Sequence, residues 1–201
     1  MTGATTPDVP AAPPPQEDAP VFLHIGAGSA GSERLPPVFQ GWREIRVDID
    51  AAVKPDIIAS MISMKPIEDQ SVDAIWCSHS LEHLEAHQVP LALKEWLRVL
   101  KADGFAYVTL PDLQQVAEII ANDRLTETVY VSPMGPISAL DMVYGHRGSI
   151  EGGSPYMAHR TGFTARTLGE TFAEAGFAKT DVWREGLNLW AKAYKSTSFT
   201  R

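Results

Sequence analysis

The chain has 201 residues, of which 44% are apolar and 21% charged, and its net charge is −8. That is enough for one sizeable α/β domain and too little for two. The negative balance excludes nucleic-acid binding driven by bulk charge. No apolar run reaches the roughly 18 residues of a membrane span, so neither nucleic acid nor membrane is expected as a partner. The single cysteine, Cys77, cannot form an internal disulfide and reads as an inert strand thiol. No Lys or Arg precedes Arg34, so the N-terminus lacks the basic region of a targeting peptide. Both features give a cytoplasmic expectation.

Residues 1–20 hold six prolines and no aromatic residue. Such a segment buries too little surface to offset its ordering entropy, and it reads as a disordered Pro/Ala-rich tail. The domain begins at Val21. An apolar run, 21–25, is predicted as a buried first strand, and it feeds a turn built on Gly26, Gly28 and Gly31. Glycine tolerates positive φ and lacks a Cβ, so backbone amides here can approach a ligand closely. A second strand is predicted at 43–47, followed by Asp48, twenty-two residues after Gly26. A carboxylate at that place can accept hydrogen bonds from a ribose diol, with Asp50 as the competing candidate. The first 55 residues therefore propose an adenosine-containing cofactor.

Further strands are predicted at 56–59, 72–77 and 105–110. A helix over 88–100 sets Val89, Leu93, Trp96, Leu97 and Leu100 on one face. Helices at 113–121 and 165–175 follow, the second ended by Gly176. Between them lies a Gly/Pro/Met-rich stretch, 132–162, with little periodicity and long enough to suggest a lid or acceptor insertion. Two last strands, 179–184 and 189–194, are joined by Glu185-Gly186, a turn short enough to require antiparallel pairing. Strand–helix alternation predicts a mostly parallel sheet with helices on both faces.

Gly26-x-Gly28-x-x-Gly31 with Asp48 also matches a nicotinamide-dinucleotide fingerprint. In that motif the third glycine opens a long helix, whereas here Pro36-Pro37 follows within a few residues. Any first crossover helix must be short or start near Pro37. That disfavours a dinucleotide oxidoreductase.

The segments HIGAGS (24–29), VDID (47–50), EDQSVDAIWCSHSLEHL (68–84), EWLRVLKADGFAYVTLPDL (95–113) and FTARTLGETFAEAGF (163–177) resemble class I S-adenosylmethionine (SAM)-dependent methyltransferases. The nearest resemblance is to small predicted members with an SH-x-LEH segment and a PDL after the fifth strand. The resemblance implies a Rossmann-like seven-stranded mixed sheet with an antiparallel last strand, and SAM across the carboxyl ends of strands 1, 2 and 4. It implies that His24, Gly26, Ala27 and Gly28 lie at the methionine part of SAM, and that Asp48 takes the ribose. Ile49, Ser60 and Met61 would lie at the adenine, with Ser78 and His79 beside the sulfonium. Met61 stands where the family often has an acidic residue. It can pack on the ring but is a poor hydrogen-bond acceptor.

His79, His83 and His87 are spaced i, i+4, i+8. On a helix the outer pair would be about 12 Å apart, so one ion cannot take all three. A two-histidine site with Glu82 is conceivable, but no metal is assigned. Methyl transfer needs alignment first, and a general base if the acceptor is a hydroxyl. His79, His146 and His159 are the catalytic candidates, with Asp112 and Tyr144 as further bases and Arg147 and Arg160 as anion grips or surface ion pairs. The expected function is SAM-dependent O- or N-methylation of a small polar acceptor; the alternative is a non-catalytic SAM-binding module. Trp42, Trp183 and Trp190 suit either a core or a homodimer interface.

Overall fold

A computed structural model describes residues 18–29, 31 and 35–197; most of the expected tail, residues 1–17, and residues 32–34 after the glycine turn lie outside them. The strands are β1 (Val21–Ile25), β2 (Arg43–Asp48), β3 (Ile57–Ile58), β4 (Val72–Ser78), β5 (Leu100–Pro111), β6 (Thr128–Ser132), β7 (Gly135–Ser138), β8 (Lys179–Glu185) and β9 (Asn188–Tyr194). The α-helices are α1 (Val89–Val99), α2 (Leu113–Ala121), α3 (Ala139–Tyr144), α4 (Arg147–Glu151) and α5 (Ala165–Ala175).

Seven strands form one sheet in the order β3-β2-β1-β4-β5-β9-β8. β1 to β5 are parallel, and β9 runs antiparallel to both of its neighbours. The expected mixed sheet with an antiparallel last strand is the observed one. The order reverses between β1 and β4, and a crevice at such a switch point, at the carboxyl ends of the strands, is where open α/β sheets bind ligands.

Strand side chains alternate between two faces. Leu23, Ile25, Ile75, Cys77, Val108, Leu110, Leu189 and Ala191 point to one core with α1 and α5, which contribute Leu93, Trp96, Leu168 and Phe172. Cys77 is fully buried there. The opposite face is aromatic: Phe22 stacks on Phe39 at 4.3 Å, Trp76 on Trp190 at 5.8 Å, and Trp183 on Tyr107 at 5.9 Å. Trp42 packs edge-on against Phe39. The three tryptophans thus form part of this aromatic layer, with Trp183 still 37% exposed. Among the described residues, the first crossover holds one short 3-10 turn, Pro37–Phe39, in keeping with Pro36-Pro37.

Two expectations differ from the fold. β5 starts at Leu100 rather than Phe105, because Leu100 already pairs with Val72, and Lys101–Gly104 form an irregularity before Phe105 pairs with Ala74. The stretch 132–162 is not irregular. It contains most of a β6–β7 hairpin that starts at Thr128, then α3 and α4. Val116 of α2 packs on Ile137, Ala139 and Met142 in a small core of their own. No helix among the described residues is long and apolar enough to cross a membrane.

Candidate functional site

The glycine turn closes onto the end of β2. Gly26 N–H donates to Val47 O at 2.9 Å, and Gly28 N–H donates to Asp48 Oδ2 at 2.9 Å. Gly26 and Gly28 have φ of +67° and +56°, the left-handed region that favours glycine. A Cβ on Gly26 would sit 2.1 Å from Ser80 Oγ, so the turn and the loop after β4 touch only because that position is glycine. Asp48 also accepts Asp50 N–H at 2.9 Å, which fixes its carboxylate at the carboxyl edge with lone pairs to spare. Arg46 braces this corner from below, donating to Gly28 O and to Lys54 O. Arg46 is absent from the sequence-based set, where it reads only as a strand residue.

Asp50, the competing ribose candidate, instead caps the 3-10 turn Ala51–Val53 by accepting Ala52 N–H at 2.8 Å. Ile49 is 49% exposed, as a surface for a flat ring requires. Met61 packs partly buried on the main core, beside Ser60, which bridges to Ser63. His24 does not join them. It is 3% exposed within β1, and its Nδ1 is 2.6 Å from Glu44 Oε1, so it ties β1 to β2 rather than facing the loop.

Beyond β4 the backbone turns sharply. His79 takes φ +45°, a left-handed value unusual for a non-glycine residue, while its N–H still reaches Thr109 O at 2.8 Å. The 3-10 turn Leu81–His83 then buries Glu82, whose side chain is 1% exposed. No short hydrogen bond reaches its carboxylate, and His79 is the nearest donor to it. Around it stand three imidazoles. His79 Nδ1 lies 3.5 Å from Glu82 Oε1, His159 Nε2 lies 4.0 Å away, and the His83 ring stacks on that of His159 at 5.1 Å. Burial alone would raise the Glu82 pKa, but the three histidines outweigh it and hold the carboxyl below its usual value. Burial pushes the His83 imidazole down, against the opposing pull of Glu82 and, more weakly, Asp48. Glu82 and His83, absent from the catalytic set above, are thus central to this cluster. The H-x-x-E-H spacing was their only sequence signal.

His159 arrives from the insertion, 76 positions beyond His83. Arg160 N–H and Thr161 N–H donate to Glu82 O, which docks this segment on the β4 loop. Gly145 permits the approach on the other side, since a Cβ there would meet Met157 O at 1.9 Å. His87 is exposed and outside the cluster. His146 is also outside it and caps α4, accepting Ser149 N–H at its Nδ1. Asp112 is fully buried, caps α2 and pairs with Arg184 Nε at 2.6 Å, so it is a structural carboxylate rather than a free base. Tyr144 is exposed. Arg147 is paired with the buried Asp141, and Arg160 with Glu85 at the surface.

Asp141 carries a pH signature. Burial raises its pKa, but hydrogen bonds from Arg147 and Ser138 prevail and hold it well below the usual carboxylate range. A depressed carboxyl stabilises the fold fully above its unfolded-state pKa of about 3.9, and that stabilisation is lost as pH falls toward the folded value. Asp141→Asn should therefore be less stable than wild type at pH 6 in urea titrations, with the gap narrower at pH 2.5. An equal gap at both pH values would contradict this.

Residues 23–108 match the family described as a methyltransferase domain. The match takes in most of β1, β2 to β4 and most of β5, so the chain carries a methyltransferase domain. Solved structures sharing the methyltransferase's fold include a SAM-dependent methyltransferase from Archaeoglobus fulgidus, with TM-score 0.58, 15% identity, and coverage of 89% of this chain and 87% of that one. Another is the 1,6-didemethyltoxoflavin-N1-methyltransferase of Burkholderia thailandensis, bound to 1,6-didemethyltoxoflavin and S-adenosylhomocysteine (TM-score 0.52, 16% identity, 89% and 72% covered). A third is the CMeT domain of the citrinin polyketide synthase (TM-score 0.59, 14% identity, 91% of this chain). The methyltransferase spans 48% of that chain's length. At these identities the likeness is one of fold. No curated protein matches the sequence. The cofactor is SAM, and the corner built by Gly26, Gly28 and Asp48 fits it: two glycines at positive φ at the strand ends, and a carboxylate with unused acceptor capacity.

Proposed function

We propose that this methyltransferase acts on an oxygen or nitrogen of a small polar acceptor, in the cytoplasm. The observation that carries the reading is a shared edge. A cavity of about 590 Å³ is lined by Ser78, His79 and Thr109 at the strand ends and by Trp76, Tyr107 and Trp190 below. Its volume suits a small molecule, and its polar rim is the same loop whose Ser80 meets Gly26. In this reading Gly26, Ala27 and Gly28 hold the methionine part of SAM, Asp48 the ribose, and Ile49 with Ser60 and Met61 the adenine. Ser78 and His79 flank the sulfonium. Residues 132–162 close the acceptor side, a role supported by the docking of residues 160 and 161 on Glu82. The lone, fully buried Cys77 agrees with a reducing compartment.

SAM supplies an electrophilic methyl group, so the protein's share is alignment and proton removal. Of the three expected catalytic histidines only His79 lines the cavity, and at 40% side-chain exposure it can pass a proton to solvent. With a hydroxyl acceptor, His79→Ala should lower kcat by roughly 10²–10⁴-fold while leaving S-adenosylhomocysteine affinity within a few-fold. The test is release of S-adenosylhomocysteine from SAM across a panel of hydroxyl- and amine-bearing small molecules. Turnover that depends on His79 supports the reading. No turnover with any acceptor would favour a non-catalytic SAM-binding role.

A further inference from the structure

The Glu82 cluster is more than a general base needs. A carboxylate 1% exposed, whose nearest donor, His79 Nδ1, stands 3.5 Å away, is costly unless a further positive charge compensates it. His159, the other imidazole at Glu82 Oε1, does not add one. His159 Nδ1 lies 2.9 Å from Met142 O. A carbonyl only accepts, so that nitrogen carries its proton. In the neutral ring Nε2 is then a lone pair, pointed at Glu82 Oε1 across 4.0 Å. Two electron-rich groups facing each other in a buried space call for something between them. An imidazole whose second nitrogen is held by a backbone carbonyl is also the usual arrangement of a metal-bound histidine.

We propose that Glu82, His83 and His159 form a binding site for one divalent transition-metal ion. One ligand atom from each of the three lies within 4.8 Å of the others. Donors about 2.1 Å from a shared tetrahedral ion stand roughly 3.4 Å apart, so the widest pair of the triad needs to contract by up to about 1.4 Å. Two imidazoles and one carboxylate select a first-row ion such as Zn²⁺, Mn²⁺ or Fe²⁺ over Mg²⁺ or Ca²⁺, which prefer all-oxygen sites. Three protein ligands leave coordination positions open. The cluster adjoins the acceptor cavity through His79, which touches both. Resting on the methyl-transfer reading above, those positions would take the acceptor's oxygen, which favours a hydroxyl-bearing acceptor over an amine. The site also joins two parts of the chain, with Glu82 and His83 from the β4 loop and His159 from the insertion, so metal binding would hold the insertion against the β4 loop.

The test is a Co²⁺ titration of protein first dialysed against a chelator, followed by visible ligand-field absorption and by calorimetry. S-adenosylhomocysteine binding is measured on the same samples. One Co²⁺ per chain is expected. Its affinity should fall by roughly 100-fold or more in Glu82→Gln and in His159→Phe, and stay unchanged in His87→Ala, whose histidine is outside the cluster. The site is overturned by an absence of saturable Co²⁺ binding, or by affinity retained in both cluster variants, which would leave an imidazolium–carboxylate pair. Should Glu82→Gln fail to fold, His159→Phe and the wild-type stoichiometry decide. S-adenosylhomocysteine binding without Co²⁺ binding removes the metal site alone. Co²⁺ binding without S-adenosylhomocysteine binding removes the methyl-transfer reading and keeps the metal.

Discussion

Asp48→Ala is expected to weaken S-adenosylhomocysteine binding by about 1–3 kcal/mol, or roughly 5- to 150-fold in Kd. Two losses combine. The ribose hydroxyls lose a charged acceptor, and Gly28 N–H loses the partner that now holds the turn at 2.9 Å. Asp50→Ala is the matched control. It removes a carboxylate two positions away that serves only the Ala51–Val53 turn, and it should change affinity by less than about 0.5 kcal/mol. Calorimetry on the two variants therefore separates the candidates that the VDID segment leaves open. Equal affinities for Asp48→Ala and wild type would place the ribose elsewhere.

Asp112→Ala should cost about 2–4 kcal/mol of stability, combining loss of a helix cap with loss of hydrogen bonds to a charged group. Asp112 is fully buried and accepts from Gln114 N–H, Gln115 Nε2 and Arg184 Nε. It thereby joins the start of α2 to β8. Arg184 is 43% exposed and rehydrates when its partner goes, so the ion pair itself adds little to the loss. In a chain of this size the expected fall in Tm is roughly 5–15 °C, measured by thermal unfolding. Asp112→Asn keeps a cap acceptor and should recover part of it. Unchanged Tm together with collapsed turnover would instead return Asp112 to the catalytic set.

Asp112 also shows where sequence reading stops. A carboxylate just past a strand at the carboxyl edge has the same local signature whether it is a base or a helix cap. The deciding partner, Arg184, is 72 positions away. His146 is the same case, with its ring spent on Ser149. By contrast β1 and its glycine turn were legible because a buried apolar run and residues that permit positive φ are both local properties. α1 was legible from its apolar spacing, the end of α5 from Gly176, and the β8–β9 hairpin from its short turn. The β6–β7 hairpin was not. Its strands are half-exposed and carry Pro136, so no alternation marks them. His24 misleads for a related reason, since adjacency to a glycine turn says nothing of which face a strand residue occupies. The meeting of His159 with Glu82 leaves no spacing signal, because the insertion folds back to produce it.

The central claim is that the corner of Gly26, Gly28 and Asp48 holds an adenosine cofactor, and that the cofactor is SAM. Calorimetry of the purified protein with S-adenosylhomocysteine, with NADH as the control, tests it most directly. Saturable binding of one S-adenosylhomocysteine per chain and none of NADH is the predicted result. NADH binding without S-adenosylhomocysteine binding would contradict it and return the glycine turn to a dinucleotide reading.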